Sequence, residues 1–229
     1  MTAPIDIERS RFNMIEQQIR PYDVLDLEVL ATLQQVKRED FVPLAHKALA
    51  FSDLMIPLLG EAEEALRRGW CMLEPKQEAR ILQDVNPRPH EKVLEVGAGS
   101  GYMSALLASR AQRVITMELQ PQLAQLARAN LQQAGVRNVE VREGDGAKGL
   151  PAEGPFDVIV LSGGVWEVPQ ALLAQLKVGG RLATMVGDDT LMRATFITRT
   201  GEAAYRTAQP WDTMAPRLAR FPEPSRFHF

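Results

Sequence analysis

Three glycines at alternate positions, Gly97, Gly99 and Gly101, follow the strand-like run KVLEV and precede a stretch that could form a helix. Glycine lacks a Cβ atom, so it permits positive φ angles and lets a ligand approach the backbone closely. In an open parallel sheet, ligands bind beyond the carboxyl ends of the strands, where the strand order reverses. The turn therefore predicts a nucleotide-like ligand, although a tight connection without a ligand would use the same residues.

Two acidic residues follow the glycine turn at the ends of the next two strand-like runs. Glu118 lies at the end of RVITMEL, 17 residues after Gly101, where a carboxylate can accept hydrogen bonds from both hydroxyls of a ribose. Asp145, in the segment EGDG, is placed to accept from an exocyclic amine such as that of adenine. Both have plainer alternatives, because a strand-end glutamate can be solvated and Asp-Gly is a common turn pair.

Glu95 lies inside the first strand of the predicted parallel sheet. An unpaired charge in such a core is costly. We therefore expect its carboxylate to meet backbone donors or a cationic group of the ligand, which makes it a further candidate binding residue.

The motif spacings disfavour other chemistries. The glycines are spaced GxGxG, and Tyr102 stands where the dinucleotide fingerprint GxGxxG requires its third glycine. No GKS or GKT sequence follows to grip a phosphate, so a dinucleotide oxidoreductase and a nucleotide hydrolase are disfavoured. The single cysteine, Cys71, and the widely separated His46, His90 and His228 show no metal-ligand spacing. We predict no metal site.

The elements that must position these residues alternate from Lys92 onward. Strand-like runs are interleaved with helical stretches at about 102–110, 121–133 and 167–176, and a strand hairpin at about 194–200 and 203–210 follows. Strands separated by helix-length segments imply a parallel sheet with crossovers on both faces. We predict an α/β fold with a doubly wound, mostly parallel sheet of about seven strands and an N-terminal helical segment.

The first 90 residues are interpreted as an addition to that sheet. Residues 7–50 and 76–85 have helical spacing, and EAEEALRR between them could form a solvated helical turn. No glycine-rich or serine-rich linker separates them from the rest. We therefore predict that residues 1–90, a helical segment and a loop, pack on a core of residues 91–229 as a single globular unit.

The overall composition narrows the possible partners. The 229 residues are 45% hydrophobic and carry a formal net charge of -3, so the chain lacks the basic field typical of nucleic-acid binding. No segment approaches the roughly 20 apolar residues that span a bilayer, and the N-terminus lacks the pattern of a signal peptide. We expect no nucleic-acid or membrane partner and a cytoplasmic location.

Together, ExGxGxG, Glu118 and GDG resemble the cofactor site of class I S-adenosylmethionine-dependent methyltransferases. Longer segments resemble the protein-L-isoaspartate O-methyltransferase family across nearly the whole chain: RFNMIEQQIRPYDVLDLEVLATLQQVKREDFVP, AFSDLMIPL, MLEPK, KVLEVGAGSGYMSALLA and FDVIVLSGGVWEVPQALLAQLKVGGRL. That family repairs age-damaged proteins by methylating the α-carboxyl group of isoaspartyl residues. The resemblance implies a Rossmann-like fold, S-adenosylmethionine as cofactor, and an acceptor that is a protein or peptide carboxylate or a small carboxylic acid.

The resemblance also implies a role for individual residues. Those that would line the methionine end of the cofactor are Glu95, Gly97, Gly99, Ser100 and Gly101. Those that would contact its ribose and adenine are Glu118 for the ribose, Leu119 against the adenine ring, and Asp145 with Gly146 for the adenine. Those that would face the reacting methyl group are Ser162, Gly163 and Gly164. No general base is implied, because a carboxylate acceptor is already ionised at neutral pH.

The chain departs from the family within residues 57–75, which would form the substrate loop. Where the family has GQTIS-x-P, this sequence has GWCMLEP, which places Cys71 at the threonine and Leu73 at the hydroxyl residue that positions the substrate. An insertion at about 61–69 lies in the same loop. The resemblance implies an isoaspartyl acceptor, but these departures favour an altered or unknown acceptor, and an S-adenosylmethionine-binding protein that has lost catalysis is the alternative.

Aromatic residues near the predicted site have two interpretations. Trp166 could stack on a substrate or simply pack against the protein. Phe221, Phe227 and Phe229 are expected to tuck against the domain as a C-terminal seal.

Overall fold

The computed structural model describes residues 6–223. The α-helices in this part of the chain are α1 (Ile7–Met14), α2 (Leu27–Gln35), α3 (Ala62–Arg68), α4 (Pro75–Val85), α5 (Tyr102–Ala108), α6 (Pro121–Gln133) and α7 (Gln170–Leu173). The strands are β1 (Ile56–Pro57), β2 (Cys71–Met72), β3 (Lys92–Val96), β4 (Arg113–Glu118), β5 (Val139–Glu143), β6 (Phe156–Val165), β7 (Leu176–Gly187), β8 (Met192–Arg199) and β9 (Tyr205–Thr213). None of the helices is long and apolar enough to cross a membrane.

The N-terminal segment is helical, as predicted, but in short pieces. Asp6 caps α1 by accepting from the backbone N–H of Arg9 at 3.1 Å, and Asp26 caps α2 by accepting from Glu28 N–H at 2.8 Å. Between the two helices, a π-helical turn and a 3₁₀ turn end at Asp23, whose φ of 61° stops the helix. Two further 3₁₀ segments, Arg38–Phe41 and Leu44–Leu49, lead towards β1.

Seven strands form the central sheet in the order β5-β4-β3-β6-β7-β8-β9. Strands β3 to β7 run parallel, and β8 and β9 add an antiparallel hairpin at one edge. The predicted fold class and the hairpin are therefore confirmed. The chain proceeds outward from β3 through β4 and β5 and then returns to β6 on the other side of β3. This reversal lies at the carboxyl ends of β3 and β6, beside the glycine turn.

The two faces of the sheet bury alternate residues of each strand, as the two-residue period of a strand requires. Val93, Val114 and Val158 belong to the larger core, with α1, α2, α4, α5 and α6. Leu94 and Ile159 belong to the smaller core, with α7 and the C-terminal segment. Crossovers therefore cover both faces, as expected.

The prediction of a helix over 167–176 is wrong in length, because α7 occupies only Gln170–Leu173. Pro169 precedes its first residue, and the chain enters β7 at Leu176. These two limits leave room for little more than one turn.

The loop before the sheet has a structure of its own. β1 and β2 pair antiparallel, and α3 fills the connection between them. The first turn of α3 carries Glu63 and Glu64 and its last turn carries Arg67 and Arg68, the arrangement that the helix dipole favours. The helix was predicted from the sequence, whereas the pairing of two-residue strands was not.

Candidate functional site

A cavity of about 440 Å³ lies beyond the carboxyl ends of β3, β4 and β6. The predicted site residues that line it are Gly97, Gly99, Glu118, Leu119, Asp145, Gly146 and Ser162. Glu95, Ser100 and Gly101 are outside this lining set and are buried or packed behind it. The structure thus brings the ends of separate strands together around one space.

The glycine turn adopts the backbone that its sequence predicts. Gly97, Gly99 and Gly101 have φ values of 95°, 53° and 85°, which only glycine adopts without strain. A Cβ atom at Gly97 would lie 3.0 Å from Cδ2 of Leu218, on the cavity side. A Cβ atom at Gly101 would instead lie 3.1 Å from Cγ of Leu131. Gly97 thus keeps the cavity open, and Gly101 lets α5 and α6 pack closely.

The carboxylate of Glu118 faces the glycine turn. Oε2 accepts a hydrogen bond from Gly99 N–H at 2.9 Å, and Oε1 accepts one from Gln120 N–H at 2.9 Å. These two bonds fix the carboxylate plane, and each oxygen retains capacity to accept a second hydrogen bond. The carboxylate can therefore hold a pair of neighbouring hydroxyls in the cavity.

Asp145 and Gly146 lie on the same side of the cavity as Glu118. Asp145 Oδ1 accepts from Ala147 N–H at 2.9 Å, and Oδ2 lies 3.6 Å from Nη1 of Arg220. A Cβ atom at Gly146 would lie 2.5 Å from Cγ1 of Val96, so a side chain there would displace the end of β3. The close approach of this loop to β3 therefore requires glycine at residue 146.

Glu95 is fully buried, and its partners are hydroxyl groups. Ser162 Oγ donates to its Oε1 at 2.7 Å, and Ser104 Oγ donates to its Oε2. The expectation of backbone donors was wrong, because serines on β6 and α5, which the strand pattern could not place, are the partners. The alternative partner, a cationic group of the ligand, stays a prediction. Burial raises the pKa of Glu95 to about 7. Glu95 acts on the cavity through Ser162, whose side chain lines it.

The opposite wall consists of the loop before α4 and of a C-terminal segment. Gly164 N–H donates to Pro216 O at 2.7 Å and Leu218 N–H donates to Gly164 O at 2.9 Å, so residues 216–218 extend the end of β6. The residues of this wall that line the cavity are Arg67, Arg68, Gly69, Trp70, Cys71, Arg217, Leu218, Ala219 and Phe221. Sequence reasoning missed Arg217 and Leu218, because the segment PRLAR has no motif.

The aromatic residues near the site that the structure describes both pack against the protein. Trp166 stacks under the guanidinium of Arg217, whose Cζ lies 3.8 Å from the ring centroid. Phe221 is buried and lines the cavity, as the predicted seal requires. Phe227 and Phe229 lie outside the described residues.

The two unusual loop residues face in different directions. Leu73 is buried in the larger core, and its carbonyl oxygen accepts from Nη2 of Arg38 at 2.7 Å. Cys71 lines the cavity, and burial raises the pKa of its thiol to about 12. Leu73, at the position where the family has a hydroxyl residue, therefore packs in the core, whereas Cys71 forms part of the cavity surface.

The chain is similar in sequence to one family of known proteins. A profile of the family described as Protein-L-isoaspartate(D-aspartate) O-methyltransferase matches residues 9–213. A Protein-L-isoaspartate O-methyltransferase of Methanoculleus marisnigri is 41% identical over 179 residues, which are 78% of each chain. One from Gloeobacter violaceus is 39% identical over 188 residues, 82% of this chain and 88% of its own.

Two solved structures have a similar fold. One, a protein-L-isoaspartate O-methyltransferase, gives a TM-score of 0.74 at 23% identity, covering 93% of this chain and 65% of that longer chain. The other, a protein-L-isoaspartate O-methyltransferase from Plasmodium falciparum in complex with S-adenosyl-L-homocysteine, also gives 0.74, at 18% identity, covering 94% of this chain and 99% of that one.

Proposed function

The chain belongs to the protein-L-isoaspartate(D-aspartate) O-methyltransferase family, and on that premise we propose that it methylates the α-carboxylate of isoaspartyl residues in proteins or peptides. It is an S-adenosylmethionine-dependent O-methyltransferase. The observation that carries the proposal is the carboxylate of Glu118, held against the glycine turn at Gly99 in the cavity where the strand order reverses.

The residues around the cavity fit S-adenosylmethionine, which when bound supplies an electrophilic methyl group on a sulfonium. The volume of about 440 Å³ is within the range usual for sites of small ligands and cofactors. Glu118 retains acceptor capacity for the two ribose hydroxyls, and Leu119 and Gly146 offer an apolar surface for a flat base. Gly97, Gly99 and Ser162 would hold the aminoacyl end.

The chain's own contribution to the reaction is alignment and exclusion of water. Methyl transfer is an in-line displacement, so the rate depends on holding donor and acceptor in one line in a dry site. Trp70, Leu218 and Phe221 line the cavity, and their apolar surfaces would help to exclude water from the reacting groups. The acceptor carboxylate is ionised at neutral pH, and no residue has to remove a proton from it.

The acceptor side of the cavity bears on whether the protein is an active methyltransferase or a binding protein that has lost catalysis. Ser162 and Trp70 line the same cavity as Glu118, so the substrate loop and the predicted cofactor site share one space. Nothing in the described residues favours lost catalysis. A small carboxylic acid remains the second candidate acceptor, because the side chain at Leu73 brings no hydroxyl to the substrate wall. The cytoplasmic location and a role in protein repair stay predictions.

Methyl incorporation into matched peptides tests the proposal. Purified protein is incubated with methyl-labelled S-adenosylmethionine and either an isoaspartyl peptide or the same peptide with a normal aspartyl residue. We expect label in the isoaspartyl peptide only, released by mild base as an ester would be. Label in small carboxylic acids but in neither peptide would contradict the isoaspartyl acceptor.

A further inference from the structure

Two arginines at the cavity are each stacked on a tryptophan. Cζ of Arg68 lies 4.7 Å from the ring centroid of Trp70, and Cζ of Arg217 lies 3.8 Å from that of Trp166. Stacking holds a guanidinium by its face and leaves its N–H groups at the edge. Both arginines therefore present in-plane donors, which suit a carboxylate.

The two arginines come from segments that touch. Arg68 ends α3, and the next residue, Gly69, is so close to the C-terminal segment that a Cβ atom on it would lie 3.2 Å from Arg217 O. Arg217 also lies beside Gly164, with which it forms a β-bridge. The cavity thus has one cationic rim, built jointly by the inserted helix and the C-terminal segment.

The internal partners of both arginines leave this rim available. Arg68 pairs with Glu64 at 2.7 Å and Arg217 pairs with Asp189 at 3.1 Å, and the side chains of these acids are 44% and 65% exposed. Exposed pairs of this kind contribute little and exchange readily. Nη1 of Arg217 is buried and makes no hydrogen bond within the described residues, so this donor of the guanidinium has no partner in the protein, while Nε and Nη2 donate to Asp189.

Charge is divided between the two sides of the cavity. Glu118 and Asp145 line the side assigned to the nucleoside, whereas Arg67, Arg68 and Arg217 line the side assigned to the acceptor. The chain as a whole carries a formal net charge of -3, so this rim is a positively charged patch on a protein that is negatively charged overall. A local cationic field of this kind concentrates anionic partners.

We propose that Arg68 and Arg217 determine acceptor specificity by binding acidic side chains that flank the isoaspartyl residue. The inference rests on the proposed function and narrows its substrate class to acidic segments of protein or peptide. The α-carboxylate that receives the methyl group lies deeper, near Ser162, and the flanking carboxylates meet the stacked guanidiniums at the rim.

Two peptides that share an isoaspartyl core test this, one flanked by glutamates and the other by glutamines. We expect wild-type protein at low ionic strength to show about a three- to tenfold higher kcat/KM for the acidic peptide, as one or two exposed ion pairs provide. Arg68→Gln and Arg217→Gln should each reduce this preference, and the double variant should abolish it. Salt should weaken it in the wild type.

Arg206→Gln is the matched control. Arg206 is exposed on β9 and pairs with Thr198, which pairs with Arg181 near the start of β7, at the end of the sheet away from the cavity. The Arg206→Gln variant changes the net charge by the same amount as either test variant and should keep the full preference for the acidic peptide. The neutral peptide is an internal reference, since a variant that merely disturbs the fold loses both peptides in proportion.

Several outcomes would overturn the proposal. Equal kcat/KM for the two peptides in the wild type, or proportional losses in both arginine variants, would do so. If neither peptide is methylated, the proposed isoaspartyl function fails, and the arginine rim is then judged by calorimetric affinities of the same peptides with S-adenosylhomocysteine present. Equal affinities of the wild type for the two peptides would overturn the proposal. Tighter binding of the acidic peptide by the wild type, with this difference lost in both arginine variants, would support it.

Discussion

The backbone N–H of Gly99 donates a hydrogen bond of 2.9 Å to Oε2 of Glu118. This bond joins the turn after β3 to the end of β4, two strands that also pair along Val96 and Met117. The glycine turn and the carboxylate are therefore one structural unit, in which each holds the other in place. The cofactor proposal depends on this unit, and the predictions below test its parts and the walls around it.

Gly97→Ala should weaken both the fold and cofactor binding. The φ of 95° and the 3.0 Å approach of Leu218 Cδ2 act together, and a non-glycine residue in this region costs on the order of 1–3 kcal/mol from the backbone alone. Urea unfolding and calorimetry with S-adenosylhomocysteine measure the two effects. Gly135→Ala, at φ 70° with no atom within 4 Å, isolates backbone strain and should leave affinity unchanged. Equal affinity losses in both variants would argue against a cavity role for Gly97.

Glu95→Gln should change how stability depends on pH. Burial raises the pKa of Glu95 from 4.5 to about 7, so between these values the folded state holds more protons than the unfolded state. Stability from this group is therefore lost as pH rises through that window, by about 3 kcal/mol in total for a shift of this size. Denaturant unfolding at several pH values should show a shallower decline from pH 5 to pH 8 in the variant. Parallel curves for the two proteins would contradict the shift.

The thiol of Cys71 should resist alkylation in the folded protein. Its pKa of about 12 leaves almost no thiolate at neutral pH, and the thiolate is the reactive form. Because the chain has one cysteine, mass spectrometry after iodoacetamide reads this site alone, with urea-unfolded protein as the positive control. Rapid labelling at pH 7 without denaturant would show that the thiol is ionised or that the loop opens.

Arg38→Met should destabilise the protein by about 3–5 kcal/mol, the usual effect of removing one partner of a buried ion pair. Arg38 pairs with Glu78, and both are buried; it also donates to Leu73 O and lies 5.1 Å from the ring centroid of Tyr102. Replacing Glu78 by Met as well should recover much of the free energy of unfolding, because no unpaired charge is left. A double variant as unstable as the single one would show that the ion pair is not the source.

The architecture could be predicted from the sequence because its signals are local. The interleaving of strands and helices after Lys92 fixes a parallel sheet, and the glycine turn places the site at its carboxyl edge. Glu118 could be singled out because it ends the strand after that turn. In each instance a short segment carries the information, and the sheet geometry brings the segments together.

The remaining features depend on contacts between distant segments. The hydrogen bonds that Ser104 and Ser162 donate to Glu95 could not be predicted, because they form only when α5 and β6 bring both serines to it. Arg217 and Leu218 belong to a segment without a motif, which reaches the cavity only by bonding to Gly164. The direction in which Leu73 and Cys71 face depends on the pairing of β1 with β2, which two-residue strands do not reveal in sequence.

Glu118→Gln tests the central claim, that this carboxylate holds the ribose of the cofactor. The amide keeps the shape but loses charge and an acceptor, and hydrogen bonds to a charged group are worth about 1.5–3 kcal/mol, which corresponds to about a tenfold to hundredfold loss of affinity. Glu143→Gln is the control, since Glu143 pairs with Glu118 in register but is exposed at the end of β5.

The decisive measurement is a calorimetric titration of wild type, Glu118→Gln and Glu143→Gln with S-adenosylhomocysteine. The account predicts binding by wild type and Glu143→Gln with similar affinity, and at least about tenfold weaker binding by Glu118→Gln. Wild-type affinity in Glu118→Gln, or no heat with any of the three proteins, would contradict it.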